Sequence, residues 1–308
     1  MIKERNNNMV WLPLVEGLAR GWPKLIDCSL WDDNDSTPQH FNADKAIAQG
    51  VKGVFPKASQ GTWADHDILY NYAAFEGKAH RSLFHFLDWS ETGFTQAKFF
   101  CGVVKNLGAD LPLVVDYECR TNPPTAGYAR TQLKNFVVEC EQNLGSKLML
   151  YTSPSYWTEF GSADGWWLEH FPHLWIAHYI NRAYPTTPAP FTSWTFWQHS
   201  DKGFDNTPQG LMYGSEALEI DCNYFNGTLA QLDALASGSI LPPPPPPPPS
   251  SKTINSKGMQ INIRNAPAIL STTDVGDALL TRADVIEELP DWYVFKAYVA
   301  KSVTAPNP

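Results

Sequence analysis

Leu113-Val114-Val115-Asp116-Tyr117-Glu118 is an apolar run that turns polar at its end. Residues 125–144 follow with apolar positions at helical spacing, and then comes Leu148-Met149-Leu150-Tyr151. Together they read as strand, helix and strand, the unit that joins two parallel strands through a crossover helix. The pattern extends in both directions. Upstream, Leu25-Ile26-Asp27-Cys28, Gly53-Val54-Phe55-Pro56-Lys57 and Arg81-Ser82-Leu83-Phe84-His85-Phe86 alternate with helix-like stretches at 41–49, 68–79 and 95–107. Downstream, Leu174-Trp175-Ile176-Ala177-His178 and Ser193-Trp194-Thr195-Phe196-Trp197-Gln198 stand closer together, and the helices thin out. Strand–helix alternation over some 210 residues predicts an α/β fold with a parallel sheet. Apolar strands with polar ends suit a barrel whose chemistry gathers at the strand C-termini. A regular eightfold barrel is not expected in the last third.

The clearest boundary is the run of eight prolines from Pro242 to Pro249. Such a run adopts polyproline II and spans roughly 25 Å at about 3.1 Å per residue. It predicts a module at 21–237, preceded by an extension at 1–20 and followed by a linker at 238–257 and a small module at 258–308. The formal net charge is −9. All of it lies before Ser251, since the tail carries six basic and six acidic residues. An acidic chain with no basic face does not suit nucleic acid. No apolar run approaches the 18 residues of a spanning helix, so membrane insertion is not expected. The patch Met9-Val10-Trp11-Leu12-Pro13-Leu14-Val15 is short, meets Glu16 at once and is followed by no small-residue cleavage site. A secretory signal is therefore not expected. Five cysteines without a CxxC pair are expected to stay thiols in a reducing compartment.

Chemistry is concentrated at strand ends. Residues at i and i+2 of a strand face the same side, so Asp116 and Glu118 should share a face with Cα atoms about 6.6 Å apart. Carboxylates that close repel, one pKa rises, and its owner becomes a candidate general acid of the kind glycoside hydrolysis needs. A metal ligand, a helix cap and a solvated edge are the competing readings of such a pair. Asp27 ends an early strand, and Asp221 ends the late run Leu218-Glu219-Ile220-Asp221. In a closed barrel all four carboxylates would meet at one rim. Tyr151, Trp175 and Trp197 sit near strand ends, where they could stack on sugar rings or pack in the core. His85 is a candidate partner for a rim carboxylate or for substrate. His170, His173 and His178 lack an HExxH pattern and Pro172 interrupts them, so neither a metal site nor a cofactor is expected.

The ordered motifs Leu25-Ile26-Asp27-Cys28-Ser29, Pro56-Lys57-Ala58-Ser59-Gln60-Gly61-Thr62, Phe84-His85-Phe86, Val114-Val115-Asp116-Tyr117-Glu118, Tyr151-Thr152-Ser153, Leu174-Trp175-Ile176-Ala177-His178-Tyr179, Trp194-Thr195-Phe196-Trp197-Gln198-His199-Ser200 and Asp221-Cys222-Asn223-Tyr224-Phe225-Asn226-Gly227 resemble those of glycoside hydrolase family 25. These are the N-acetylmuramidases, or lysozymes, of the Chalaropsis type. The resemblance spans about 21–235. It implies an irregular TIM-like barrel of five β/α units followed by three strands. It also implies cleavage of the β-1,4 bond between N-acetylmuramic acid and N-acetylglucosamine, with peptidoglycan glycan strands as the partner. By position, Glu118 matches the family's general acid, and Asp116 the carboxylate that organises the 2-acetamido group or stabilises charge. Asp27 and Asp221 match the flanking carboxylates. Retention through the substrate's acetamide is favoured over a covalent Asp116 ester, although the spacing alone does not decide it. Gln60 departs from the family pattern, which often has Glu there. Cys28 and Cys222 stand where Val or Leu is common, and alternation turns both away from the interior.

Two readings from other classes compete: a glycan-binding protein without turnover, and a chitinase-like hydrolase. The first would be favoured by loss of Glu118 or Asp116, and the second by a D-x-x-D-x-D-x-E run; neither condition is met. In the tail, Gln260-Ile261-Asn262-Ile263-Arg264 and Trp292-Tyr293-Val294 resemble bacterial SH3-like domains, which implies a small all-β wall-binding barrel. The whole reads as an endolysin-like monomer. It would be made in the cytoplasm and act on the bacterial wall after holin-type or non-classical release, with a secreted autolysin as the alternative.

Overall fold

The computed structural model describes residues 11–37, 40–121 and 125–238. In the C-terminal part it describes the backbone of 253–254, 260–264, 274–289 and 292–299. The chain divides into two compact units, Met1–Pro244 and Pro245–Pro308.

The first unit runs α1 (Leu12–Arg20), β1 (Lys24–Cys28), a 3-10 turn (Leu30–Asp32), α2 (Ala43–Ala48), β2 (Val51–Gln60), β3 (Trp63–Ala64), α3 (Ile68–Ala74), β4 (His80–Arg81), β5 (Phe84–Phe86) and α4 (Gly93–Val104). It continues through β6 (Val114–Asp116), α5 (Ala126–Leu144), β7 (Met149–Thr152), α6 (Pro154–Phe160), α7 (Trp166–His170), β8 (His173–Ala177), β9 (Phe196–Ser200), α8 (Gly210–Tyr213), β10 (Asp221–Phe225) and α9 (Leu229–Ala236). Eight strands close a barrel. β1, β2, β5, β6, β7, β8 and β9 pair in parallel in that order. β10 closes the ring, antiparallel to both β9 and β1. The five strands β1, β2, β5, β6 and β7 are each followed by helix, whereas β8 reaches β9 without one. This is the irregular barrel expected from the sequence, with one strand reversed.

Period-2 alternation sorts the core into two layers. Leu25, Phe55, Phe84, Val114, Met149, Trp175, Phe196 and Phe225 pack inside the barrel with Leu232 and Leu235 of α9. Ile26, Val54, Val115, Leu150, Leu174, Ile176, Trp197 and Cys222 face outward against the helices. Helix α5 shows why the helical layer forms. Thr125 caps it by accepting from the Tyr128 N–H, Gly145 ends it in the left-handed conformation, and Ala129, Gln132, Leu133, Phe136, Val137 and Cys140 make one buried stripe.

β9 and β10 lack crossover helices, and α1 covers them instead. Trp11 Nε1 donates to His199 Nδ1 at 3.1 Å. Gly17 lies against the Tyr224 ring, where a Cβ would come within 2.3 Å of Cζ. His199 and Tyr224 are outward residues of those two strands. The cover is thus drawn from the stretch that reads in sequence as an extension.

In the second unit, β13 (Asp274–Leu289) pairs antiparallel with β11 (Thr253–Ile254), β12 (Gln260–Arg264) and β14 (Trp292–Val299). The side chains on which the SH3-like expectation rests lie outside the described residues.

Candidate active site

At the C-terminal ends of the parallel strands the barrel opens into a cavity of about 330 Å³. Asp27, Asp116, Glu118 and Asp221 all line it, with Asp32, Lys57, Gln60, Trp31, Phe84, Phe86, Tyr151, Trp175, Tyr179 and Gln198. Asp116 is the last residue of β6. Ladder pairing carries one residue further, through the Tyr117 N–H to the Tyr151 carbonyl at 2.9 Å. That keeps the alternation: Tyr117 turns into the outer layer, while Asp116 and Glu118 face the cavity. Asp221 reaches the same rim by a route the sequence reading has wrong. It does not end a parallel strand but begins β10, which runs the other way, so Asp221 stands directly opposite Asp27.

A buried hydrogen-bond network holds Asp27. Gln198 Nε2 donates to both of its oxygens at 3.0 Å, and Asn223 Nδ2 donates to Oδ2 at 2.7 Å. Gln198 Oε1 accepts from the Tyr151 and Tyr179 hydroxyls at 2.6 Å each. Trp175 Nε1 donates to Asn223 Oδ1 at 2.7 Å. With its other side occupied by phenols, the Gln198 amide can present only N–H groups to Asp27. Gln198, Asn223 and Tyr179 stand in the quoted motifs but carry no site role in the sequence expectation. The signal was available in parity, since Gln198 is two residues from inward Phe196 and Asn223 two from Asp221.

Parity also corrects two expectations. Trp197 does not line the cavity. It is fully buried in the outer layer, and its Nε1 donates to the His178 carbonyl at 2.9 Å. His85 likewise points away, between inward Phe84 and Phe86. It hydrogen-bonds Ser59 at 2.8 Å and Gln96 at 3.2 Å and stacks on Phe136. Burial pushes its pKa down to about 4, so it is a neutral core histidine. Tyr151 and Trp175 do reach the cavity, but at 5% and 1% exposed they form its floor. The exposed aromatics at the mouth are Trp31 and Tyr179.

Five carboxylates and a single cation, Lys57, line this cavity among the described residues. Desolvation raises all five acids. Glu118 goes up to about 7, helped by the charge of Asp27. Asp116 rises well above its ordinary value through burial and then through Glu118. Asp27 is pushed up to about 6 by burial, against the Asn223 and Gln198 hydrogen bonds. Asp221 rises further, first by burial and then by Asp27, with which it shares a hydrogen bond. Asp32 is raised to about 7 by burial. Lys57 is pulled down by desolvation, donates to Gln60 Oε1 at 2.8 Å, and lies over the Trp63 and Phe86 rings. Asp116 Oδ1 is buried with no hydrogen-bond partner among the described residues. The arrangement can therefore deliver a proton, stabilise a developing cation and accept a hydrogen bond from a ligand. A larger cavity of about 900 Å³, beside α2 and α8, lacks this excess. There Asp44 is paired with Lys78 at 2.7 Å, and Glu216 is taken by the Thr37 hydroxyl at 2.7 Å.

Known proteins share this barrel. The chain is 29% identical over 228 residues to lysozyme M1 of Streptomyces globisporus, covering 70% of this chain and 71% of that one. It is 28% identical over 220 residues to the N,O-diacetylmuramidase of Chalaropsis sp, covering 67% of this chain and 98% of the relative. The bacterial lysozyme from Streptomyces coelicolor superposes with a TM-score of 0.60 at 26% identity, covering 71% of this chain and 99% of that structure. Residues 26–207, from the middle of β1 to beyond β9, match the family described as Glycosyl hydrolases family 25. A match over more than half of the sequence, on a barrel whose acidic rim is in place, makes this chain a member of glycosyl hydrolases family 25.

Proposed function

We propose that the chain is a muramidase, a lysozyme that hydrolyses peptidoglycan by cutting the β-1,4 bond between N-acetylmuramic acid and N-acetylglucosamine. The observation that carries the site assignment is the Asp116–Glu118 pair, a buried and a half-buried acid on one face, each with its pKa raised by desolvation. Strongly interacting acids titrate as a pair, and desolvation favours the protonated form of this one. Access divides the roles. Asp116 is 6% exposed, whereas Glu118 is half-buried and also lines the adjoining cavity of about 270 Å³. Glu118 is thus the member that can reach a glycosidic oxygen.

The orphaned Asp116 Oδ1 is suited to accept the N–H of a 2-acetamido group. That hydrogen bond favours the Asp116 anion and leaves the pair's proton on Glu118. Glu118 then protonates the leaving oxygen as the glycosidic bond breaks, and the acetamide oxygen bonds to the anomeric carbon from the opposite face. Water opens the resulting oxazolinium, giving its proton to the Glu118 carboxylate, and configuration is retained. Positive charge on the sugar ring is stabilised by the acidic rim. Asp27 and Asp221, sharing a proton across the β1–β10 pair, supply part of that field.

The tail reading, an SH3-like module that holds the enzyme at the wall, rests on its sequence motifs and is part of the same proposal. So is the bacterial wall as the site of action.

Digestion of purified peptidoglycan by the wild type and by Glu118→Gln, with mass spectrometry of borohydride-reduced products, tests the reading. Wild-type fragments ending in reduced muramic acid, suppressed by at least about 100-fold in the variant, are expected. Ends at reduced glucosamine would move the cleaved bond. Freed peptides on an intact glycan would remove the glycosidase reading.

A further inference from the structure

Asp35, in the loop after the 3-10 turn, meets His66 and Asp67, in the loop between β3 and α3. His66 Nε2 lies 3.2 Å from Asp35 Oδ1 and 3.6 Å from Asp67 Oδ2. All three donor atoms fall within 4.8 Å of one another. Asp67 is 7% exposed, and its Oδ2 has no hydrogen-bond partner among the described residues. A buried carboxylate oxygen left unpaired costs more than a net hydrogen bond returns. The backbone keeps it in place, because the Asp67 N–H is tied to Asp65 Oδ1 at 3.0 Å. Neighbouring acids do not relieve it. Asp33 is taken by His40 at 2.7 Å, and the other Asp65 oxygen by the Leu30 N–H at 3.1 Å.

We propose that Asp35, His66 and Asp67 bind a divalent transition ion of the zinc class, tying the loop after β1 to the loop before α3. One imidazole nitrogen and two carboxylate oxygens, with water in the fourth position, form a donor set that zinc accepts and calcium does not favour. Tetrahedral bonds of 2.0–2.1 Å place donors about 3.3 Å apart. The two His66 separations straddle that value. The tied loop also carries Trp31 and Asp32 of the cavity wall, so the ion would hold part of that wall from outside. The site involves none of the groups placed in glycan cleavage.

Calorimetric titration of the tag-free, EDTA-treated full chain with zinc chloride, together with thermal melts, tests this. One saturable equivalent and a raised Tm are expected. Asp35→Asn, at an exposed position, and His66→Gln should each weaken binding at least tenfold and lose the Tm shift. His40→Gln, outside the donor set, should keep both. No saturable binding, or equal binding by the Asp35 and His66 variants and the wild type, overturns the site. An equal shift with calcium overturns the transition-ion assignment.

Discussion

Burial, helped by the charge of Asp27, lifts Glu118 to about 7, and two amides favour that Asp27 charge against its own burial. The sign of the pH dependence follows. The acid form is populated below about 7 and lost above it, so kcat/KM should fall tenfold per pH unit on the alkaline side. Asp27→Asn removes the charge that helps to raise Glu118. Its alkaline limb should move to lower pH, by less than one unit if burial is the larger cause. A pH–rate series on a soluble glycan fragment checks this, and an unmoved limb would separate the two carboxylates. At this scale the four acids were legible because each stands beside an apolar run. The amides that control Asp27 were not, because Gln198 and Asn223 acquire a role only when β9 and β10 are neighbours. Trp197 and His85 were misplaced for a different reason. Proximity to a strand end was weighed, and the face of the strand was not.

Helix α4 crosses α5 at a point where no side chain fits. A Cβ on Gly93 would come within 1.9 Å of the Gln132 carbonyl oxygen, and the Gly93 N–H donates to Gln132 Oε1 at 2.7 Å. Gly102, in the same helix, is exposed with nothing within 4 Å. The same substitution should thus have opposite signs. Gly93→Ala forces the helices apart and should cost about 1–3 kcal/mol. Gly102→Ala gains helix propensity and should stabilise by about 0.5–1 kcal/mol. Urea unfolding of both variants checks the crossing, and two stabilised proteins would mean that α4 and α5 do not approach so closely. The α/β alternation was readable here because amphipathic periodicity is local to each segment. The reversal of β10 was not, since the alternation in Asp221–Phe225 reads the same in either direction. Nor was α1 as the cover of β9 and β10, because that requires knowing which strands lack a helix of their own.

Across the whole molecule, charge and proposed wall attachment lie in different places. The first 250 residues carry 17 basic and 26 acidic residues, and the remainder is neutral. An acidic enzyme gains no long-range attraction to a polyanionic wall, and exposed charges are screened beyond about 8–10 Å at working ionic strength. If the tail binds the wall, it must therefore do so by short-range contacts, and its benefit is the local concentration that tethering supplies. A chain ending at Pro244, the close of the first compact unit, separates these effects. It should cleave soluble glycan fragments within about twofold of the full chain, because the rim, its amides and α1 all lie inside that unit. On intact walls its rate should fall by tenfold or more, the low end of a tethering gain. Raising salt from about 50 to 200 mM should change wall binding of the full chain by less than about twofold, where an attachment through many ionic contacts would weaken steeply. Equal loss on both substrates would mean that the tail supports the barrel instead of the wall contact, and strong salt inhibition would return the attachment to charge.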